Sequence, residues 1–265
     1  MSTWGSRGNL SAKPGRDGRY PILTVEKLSA WYGELRALQG ISFSANAGEV
    51  VSVIGANGAG KSTLLRAMTG MMNLGKRAHI EGRIECQGRR LDRLRTEKII
   101  EGGVTMVPEG RMLFSRMSVE ENLLVGAHIP RARDGIKDRL AGIFEFFPRL
   151  AERRTQSVSQ MSGGEQQMVA SGRALMSDPA VILFDELSLG LAPIIVDDIY
   201  DKVRQINERG VTCLVIEQDM RRALEVANHV LVMLEGDIVL DGSPDDLSRE
   251  EITNAYFGTR PEGVA

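Results

Sequence analysis

The stretch Gly55-Ala56-Asn57-Gly58-Ala59-Gly60-Lys61-Ser62, followed by Thr63, constrains this chain more than any other. Glycine opens and closes a six-residue run, and Lys-Ser follows at once. Before it lies VVSVIG (Val50 to Gly55), apolar enough for a strand buried on both faces. After it, KSTLLRAMTGMM places Leu64, Leu65 and Met68 at helical spacing. A loop with a Cβ at every residue could not wrap successive N–H groups around a phosphate chain. Helix N-terminal amides add donors and a favourable dipole. On this pattern Lys61 would reach the β- and γ-phosphates of a nucleotide, and the Ser62 hydroxyl would ligate Mg²⁺. A glycine-rich turn without ligand is the competing reading, and it leaves the Lys-Ser pair unexplained.

The rest of the chain reads as strands alternating with helices. ILTVEKL from Pro21 alternates apolar and polar like a strand, and LRALQGISFSA follows as a second. Two more buried strands are predicted at AVILF (Ala180 to Phe184) and TCLVIE (Thr212 to Glu217). Between them APIIVDDIYDKVRQINERG predicts a helix stopped at Gly210. Such alternation implies a mostly parallel sheet. From Met117 to Met161 no strand candidate intervenes. Ser118 with Glu121 makes a capping box, and a second helical pattern runs from about Gly135 to Phe147, so this region is a helical insert. HVLVMLEGDIVLDG reads as a hairpin turning at Glu235-Gly236, with short helices after it.

Composition narrows the class. With 265 residues the chain is long enough for one large core, and a net charge of −2 gives no reason to invoke nucleic acid as a partner. Two cysteines fit a reducing compartment. No apolar run reaches the roughly 18 to 20 residues of a membrane helix, and the first twenty residues lack the apolar stretch of a secretory signal. Residues 1–20 read as a mobile tail, 21–260 as a single domain with a helical subdomain at about 109–162, and 261–265 as a second tail.

Two further patterns carry chemistry. Asp185-Glu186 closes AVILF, and ligands of open α/β sheets sit beyond the carboxyl ends of the strands. Asp185 is then a candidate Mg²⁺ partner, and Glu186 a candidate base that polarises an attacking water. An acidic pair after a strand is also common in plain loops. Ser162-Gly163-Gly164-Glu165 opens the helix pattern QQMVASGRALM. It reads as a capping box, but two glycines in a first turn cost about 1 kcal/mol each relative to alanine. The bare amides they leave could meet an anion.

GANGAGKS, SGGEQQ and VILFDE in this order resemble the ATP-binding cassette (ABC) ATPases over about Ile22 to Tyr256. The resemblance implies an α/β fold: a P-loop NTPase core of ABC ATPase type with a mostly parallel sheet, an antiparallel β subdomain and a helical insert. It implies ATP and Mg²⁺ as ligands, the latter at Ser62, Glu109 and Asp185. It also implies a dimer that sandwiches two ATPs, with Ser162, Gly163, Gly164 and Glu165 of one subunit facing the nucleotide of the other. Tyr32, in WYG, matches the residue that stacks on adenine, although a half-buried strand-end aromatic would look the same.

Several positions depart from the family pattern. Glu109 of Val107-Pro108-Glu109-Gly110-Arg111 stands where glutamine is usual, and adds charge beside the phosphates. Gln218 stands where the switch histidine is expected; its amide can donate to the γ-phosphate but carries no proton. His79, His128 and His229 are elsewhere, Ala192 replaces an aspartate, and Leu187 replaces a proline after Glu186, which frees φ. VPEGR, MSGGEQQ, SLGLAP and IEQD together are similar to the ATPase subunits of bacterial branched-chain amino acid importers. That likeness implies a peripheral protein on the cytoplasmic face of the inner membrane, bound to permease subunits. It implies a second ABC ATPase subunit, a heterodimer in preference to a homodimer, and an extracytoplasmic binding protein acting indirectly. Similar cassettes serve importers of urea, short amides or aromatic acids, and a non-transport ABC ATPase is a further alternative.

Overall fold

The strands sort themselves by how many of their faces are dry. In the computed structural model, which describes residues 21–74 and 77–258, β1 (Pro21–Tyr32) and β2 (Leu35–Asn46) pair antiparallel. β2 alternates buried and wet residues, as a strand covered on one face must. β3 (Val50–Ile54) is buried throughout and leads through residues 55–60 into α1 (Lys61–Met68). β4 (Ala78–Cys86) and the two-residue β5 (Arg89–Arg90) complete a four-stranded antiparallel sheet in the order β2-β1-β4-β5. α2 (Thr96–Glu101) then feeds β6 (Val104–Val107). The expected terminal tails, 1–20 and 261–265, lie outside the described residues.

Helices follow without a strand: α3 (Val119–Val125), α4 (Pro130–Arg133), α5 (Ile136–Phe146), α6 (Pro148–Glu152) and the long α7 (Gly163–Leu175). The capping boxes at Ser118 and Ser162 both form. Then come β7 (Val181–Asp185), α8 (Pro193–Glu208), β8 (Thr212–Glu217), α9 (Met220–Val226), β9 (His229–Leu234), β10 (Asp237–Gly242) and α10 (Arg249–Phe257). The second sheet has the order β10-β9-β3-β8-β7-β6, parallel except for the β9–β10 hairpin. Its central strands β3, β7 and β8 are the continuous apolar runs.

Alternate residues of those strands feed different cores. Val50, Phe184 and Val215 pack with the helices of 119–175, whereas Val53, Leu183 and Ile216 pack with α1 and the antiparallel sheet. A smaller cluster around Ile54, Val232 and Ile252 lies under α9 and α10. Two expectations need correction. The helix after the glycine loop ends at Met68 rather than running through Met72, because Gly70 takes φ +72° and a Cβ there would meet Ile99 Cδ1 at 2.8 Å. The strands β4 and β6 have no counterpart in the sequence reading. Only Ile84 and Cys86 of β4 are fully buried, and β6 is four residues long.

Candidate functional site

The loop after β3 takes the shape its glycines allow. Gly58 and Gly60 hold φ +86° and +102°, and Gly60 is the left-handed N-cap of α1. Gly55 permits a different closeness: its missing Cβ would fall on the Met233 carbonyl oxygen of β9. The turn between β9 and β10 closes over the loop, with the Gly236 N–H donating to Ala59 O at 2.9 Å. Lys61 is 5% exposed, and its Nζ donates to Gly55 O at 2.6 Å and to Ala56 O at 3.1 Å. Burial lowers its pKa, and the charges of Glu186, Asp185 and Glu217 act against that. Asn57, Gly58, Gly60, Lys61, Ser62, Thr63 and Glu186 line one open cavity. A neighbouring groove is lined by Tyr32, Arg66, Met72 and Arg77, so Tyr32 stands where a ring could lie beside the loop.

The acidic end of β7 comes to the same place. Asp185 Oδ1 is buried and has no hydrogen-bond partner. Burial first, then the Glu186 and Glu109 carboxylates, push its pKa up to about 6; the Glu109 amide and Lys61 pull the other way. An orphaned carboxylate oxygen between two other carboxylates and a lysine is an environment that a divalent cation would relieve. Ser62, Asp185 and Glu109 therefore fit Mg²⁺ by the chemistry of their donors. Among the described residues no three His, Cys, Asp or Glu side chains form a cage by themselves.

Glu186 holds φ +47°, a left-handed conformation that a non-glycine residue keeps only when its surroundings fix it. Its N–H donates to Ile216 O at 3.0 Å, and its Oε1 accepts from Gln218 Nε2 at 2.6 Å. The Gln218 amide, expected to face a phosphate, is here bonded to the candidate base. Leu187, which stands where a proline would fix φ, is 1% exposed and packed in the core. The three histidines engage elsewhere: His79 stacks on Trp31, His128 meets Val125 O and His229 pairs with Asp241.

Ser162–Glu165 make their contacts apart from this cluster. Ser162 Oγ and Glu165 satisfy each other, and Glu165 also pairs with Arg153 at 3.3 Å. The two glycines have a packing reason besides bare amides. A Cβ on Gly163 would lie 2.9 Å from Leu191 Cδ2, and one on Gly164 would strike Ile195 Cγ2. Ala192 caps α8 with no side-chain bond. The sequence reading missed two members of the site, Glu217 and Ser188. The Glu217 carboxylate is 1% exposed and accepts from the Ser188 N–H at 3.2 Å and the Ser188 hydroxyl at 3.0 Å. The signal was available: an acidic residue closing the apolar run TCLVIE is the same pattern that marked Asp185.

Comparison with known proteins gives the family. The family model described as "ABC transporter" matches residues 38–188. The high-affinity branched-chain amino acid transport ATP-binding protein BraG of Pseudomonas aeruginosa is 42% identical over 238 residues, covering 89% of this chain and 100% of that protein. BraF of the same organism, which carries the same description, is 30% identical over 259 residues, covering 90% of this chain and 98% of its own. Among solved structures, the ADP conformation of MJ1267, an ATP-binding cassette of an ABC transporter, superposes with a TM-score of 0.75 at 30% identity. It covers 88% of this chain and 94% of that one.

Proposed function

From a chain that belongs to the ABC transporter family of ATP-binding proteins, we propose the ATP-hydrolysing subunit of a bacterial importer that takes up branched-chain amino acids. The observation that carries the chemistry is the meeting of the 55–63 loop with Asp185, Glu186 and Gln218 at the ends of three adjacent strands. The cargo rests on the likeness to BraG over nearly the whole chain.

Each residue has a part. The N–H groups of Gly55–Thr63 cradle the phosphates of ATP, and Lys61 neutralises charge on the β- and γ-phosphates. Tyr32 offers its ring to the adenine. Ser62, Asp185 and Glu109 hold Mg²⁺, which when bound neutralises charge on the transferring phosphoryl group. Glu186 orients and polarises the attacking water, and Gln218 holds the Glu186 carboxylate. Ser162, Gly163, Gly164 and Glu165 face the nucleotide bound by a second ABC subunit. BraG and BraF are two different ATP-binding proteins of one organism with one transport description, which favours a heterodimer. No helix of the described residues is long and apolar enough to cross a membrane, so transport requires permease subunits. The chain acts on the cytoplasmic face of the membrane, with the helical insert near Glu109 to Phe147 as the docking surface.

The test is uptake of radiolabelled leucine by cells whose only copy of this subunit is Glu186→Gln, with expression of the variant verified and other leucine systems deleted. Abolished uptake against a wild-type control ties the base to this cargo. Undiminished uptake removes the cargo assignment and brings forward urea, short amides or aromatic acids.

A further inference from the structure

Glu217 is a buried carboxylate with no ion-pair partner within 4 Å among the described residues. Burying a carboxyl group is costly unless its oxygens are hydrogen-bonded. Its two oxygens divide their work. Oε1 accepts from the Ser188 N–H, while Oε2 accepts from the Ser188 hydroxyl at 3.0 Å and from the Gln218 N–H at 3.3 Å. Ser188 lies two residues after Glu186, and Gln218 is the residue whose amide bonds the Glu186 carboxylate. The buried Tyr200 phenol lies beside this carboxylate, and burial first, then Glu217, push its pKa up.

We infer that Glu217 is a positioning residue, a staple that fastens the segment after Glu186 to the end of β8 and so sets where the Glu186 carboxylate points. Three consecutive residues at the end of β8, the last two of the strand and the one after it, share the task. Ile216 O takes the Glu186 N–H, Glu217 takes Ser188, and Gln218 takes the Glu186 side chain. A glutamate at φ +47° needs that over-determination, because its own backbone preference would relax it. Glutamine at 217 could not replace the carboxylate. One of its two termini is an NH₂ donor, and it would face an N–H that needs an acceptor. The inference rests on Glu186 acting as the base.

The experiment measures ATP hydrolysis, affinity for ATP and melting temperature in the full chain for Glu186→Gln, Glu217→Gln, Ser188→Ala, Ser188→Thr and the Glu217→Gln/Ser188→Ala double variant. Glu217→Gln is expected to lower kcat by about tenfold or more, the scale of a small misplacement of a reacting group. KM and ATP affinity should stay at their wild-type values. Ser188→Ala should lower kcat less, Ser188→Thr should retain it, and the double variant should be no slower than Glu217→Gln alone. Should Glu217→Gln fail to fold, the contrast between Ser188→Ala and Ser188→Thr carries the test. Wild-type kcat in both Glu217→Gln and Ser188→Ala, beside a dead Glu186→Gln, overturns this inference and leaves the base in place. A loss shared equally by kcat, ATP affinity and melting temperature overturns it in favour of plain structural support. Full activity in Glu186→Gln removes the base itself.

Discussion

Asp185 is held in an expensive state, and its cost has a pH signature. Its carboxyl ionises at about 6 in the fold against 3.8 in an ordinary setting. Above pH 6 the folded protein therefore bears a buried charge that the unfolded chain bears freely. As the pH falls through 6 towards 3.8 the folded state takes up its proton first, and the penalty disappears. Asp185→Asn should accordingly raise the melting temperature of nucleotide- and metal-free protein at pH 7.5. That gain should shrink steadily below pH 6 when the two proteins are melted side by side by calorimetry. A gain of the same size at pH 7.5 and pH 4.5 would contradict the charge as its source. Asp185 and Glu186 were legible as an acidic pair closing a buried strand. The Gln218 bond to Glu186 was not, since it joins side chains 32 positions apart through sheet neighbours that sequence order does not reveal.

Between elements, α3 and α7 approach closely. Gly126, just past α3, has right-handed φ −62° and ψ −22°, where alanine is preferred by about 1 kcal/mol on helix propensity. Its missing Cβ, however, would overlap the Arg173 carbonyl of α7, and Gly172 on the same helix leaves room for Leu123. Sterics decide the sign: Gly126→Ala should destabilise by roughly 1–3 kcal/mol, read as a lower urea midpoint with unchanged slope. Capping boxes made the starts of α3 and α7 readable, because their information sits within four residues. β6 was unreadable for the opposite reason. Four residues carry too little pattern, and VTMV becomes a strand only by lying parallel to β7.

For the molecule as a whole, a site assembled from β3, β7 and β8 makes nucleotide a folding ligand. ATP with Mg²⁺ at about 100 times its Kd should stabilise the protein by roughly 2.7 kcal/mol. At roughly 2–4 °C per kcal/mol for a domain of this size, the melting temperature should rise by about 5–10 °C. Lys61→Ala should melt without that rise. An identical rise in the variant would place the nucleotide elsewhere. The mostly parallel sheet could be read from the alternation of apolar runs. The strand order could not, because β3 pairs with β8 and β9, which arrive long after it in the chain. That order also times the protein's birth. The 55–62 loop is made early, yet it is closed by the Gly236 N–H on Ala59 O and by Gly55 packing on Met233. At ribosomal speeds of roughly 5–20 residues per second, about ten to thirty seconds pass between the two. A copy still being translated holds an unfinished cradle all that while.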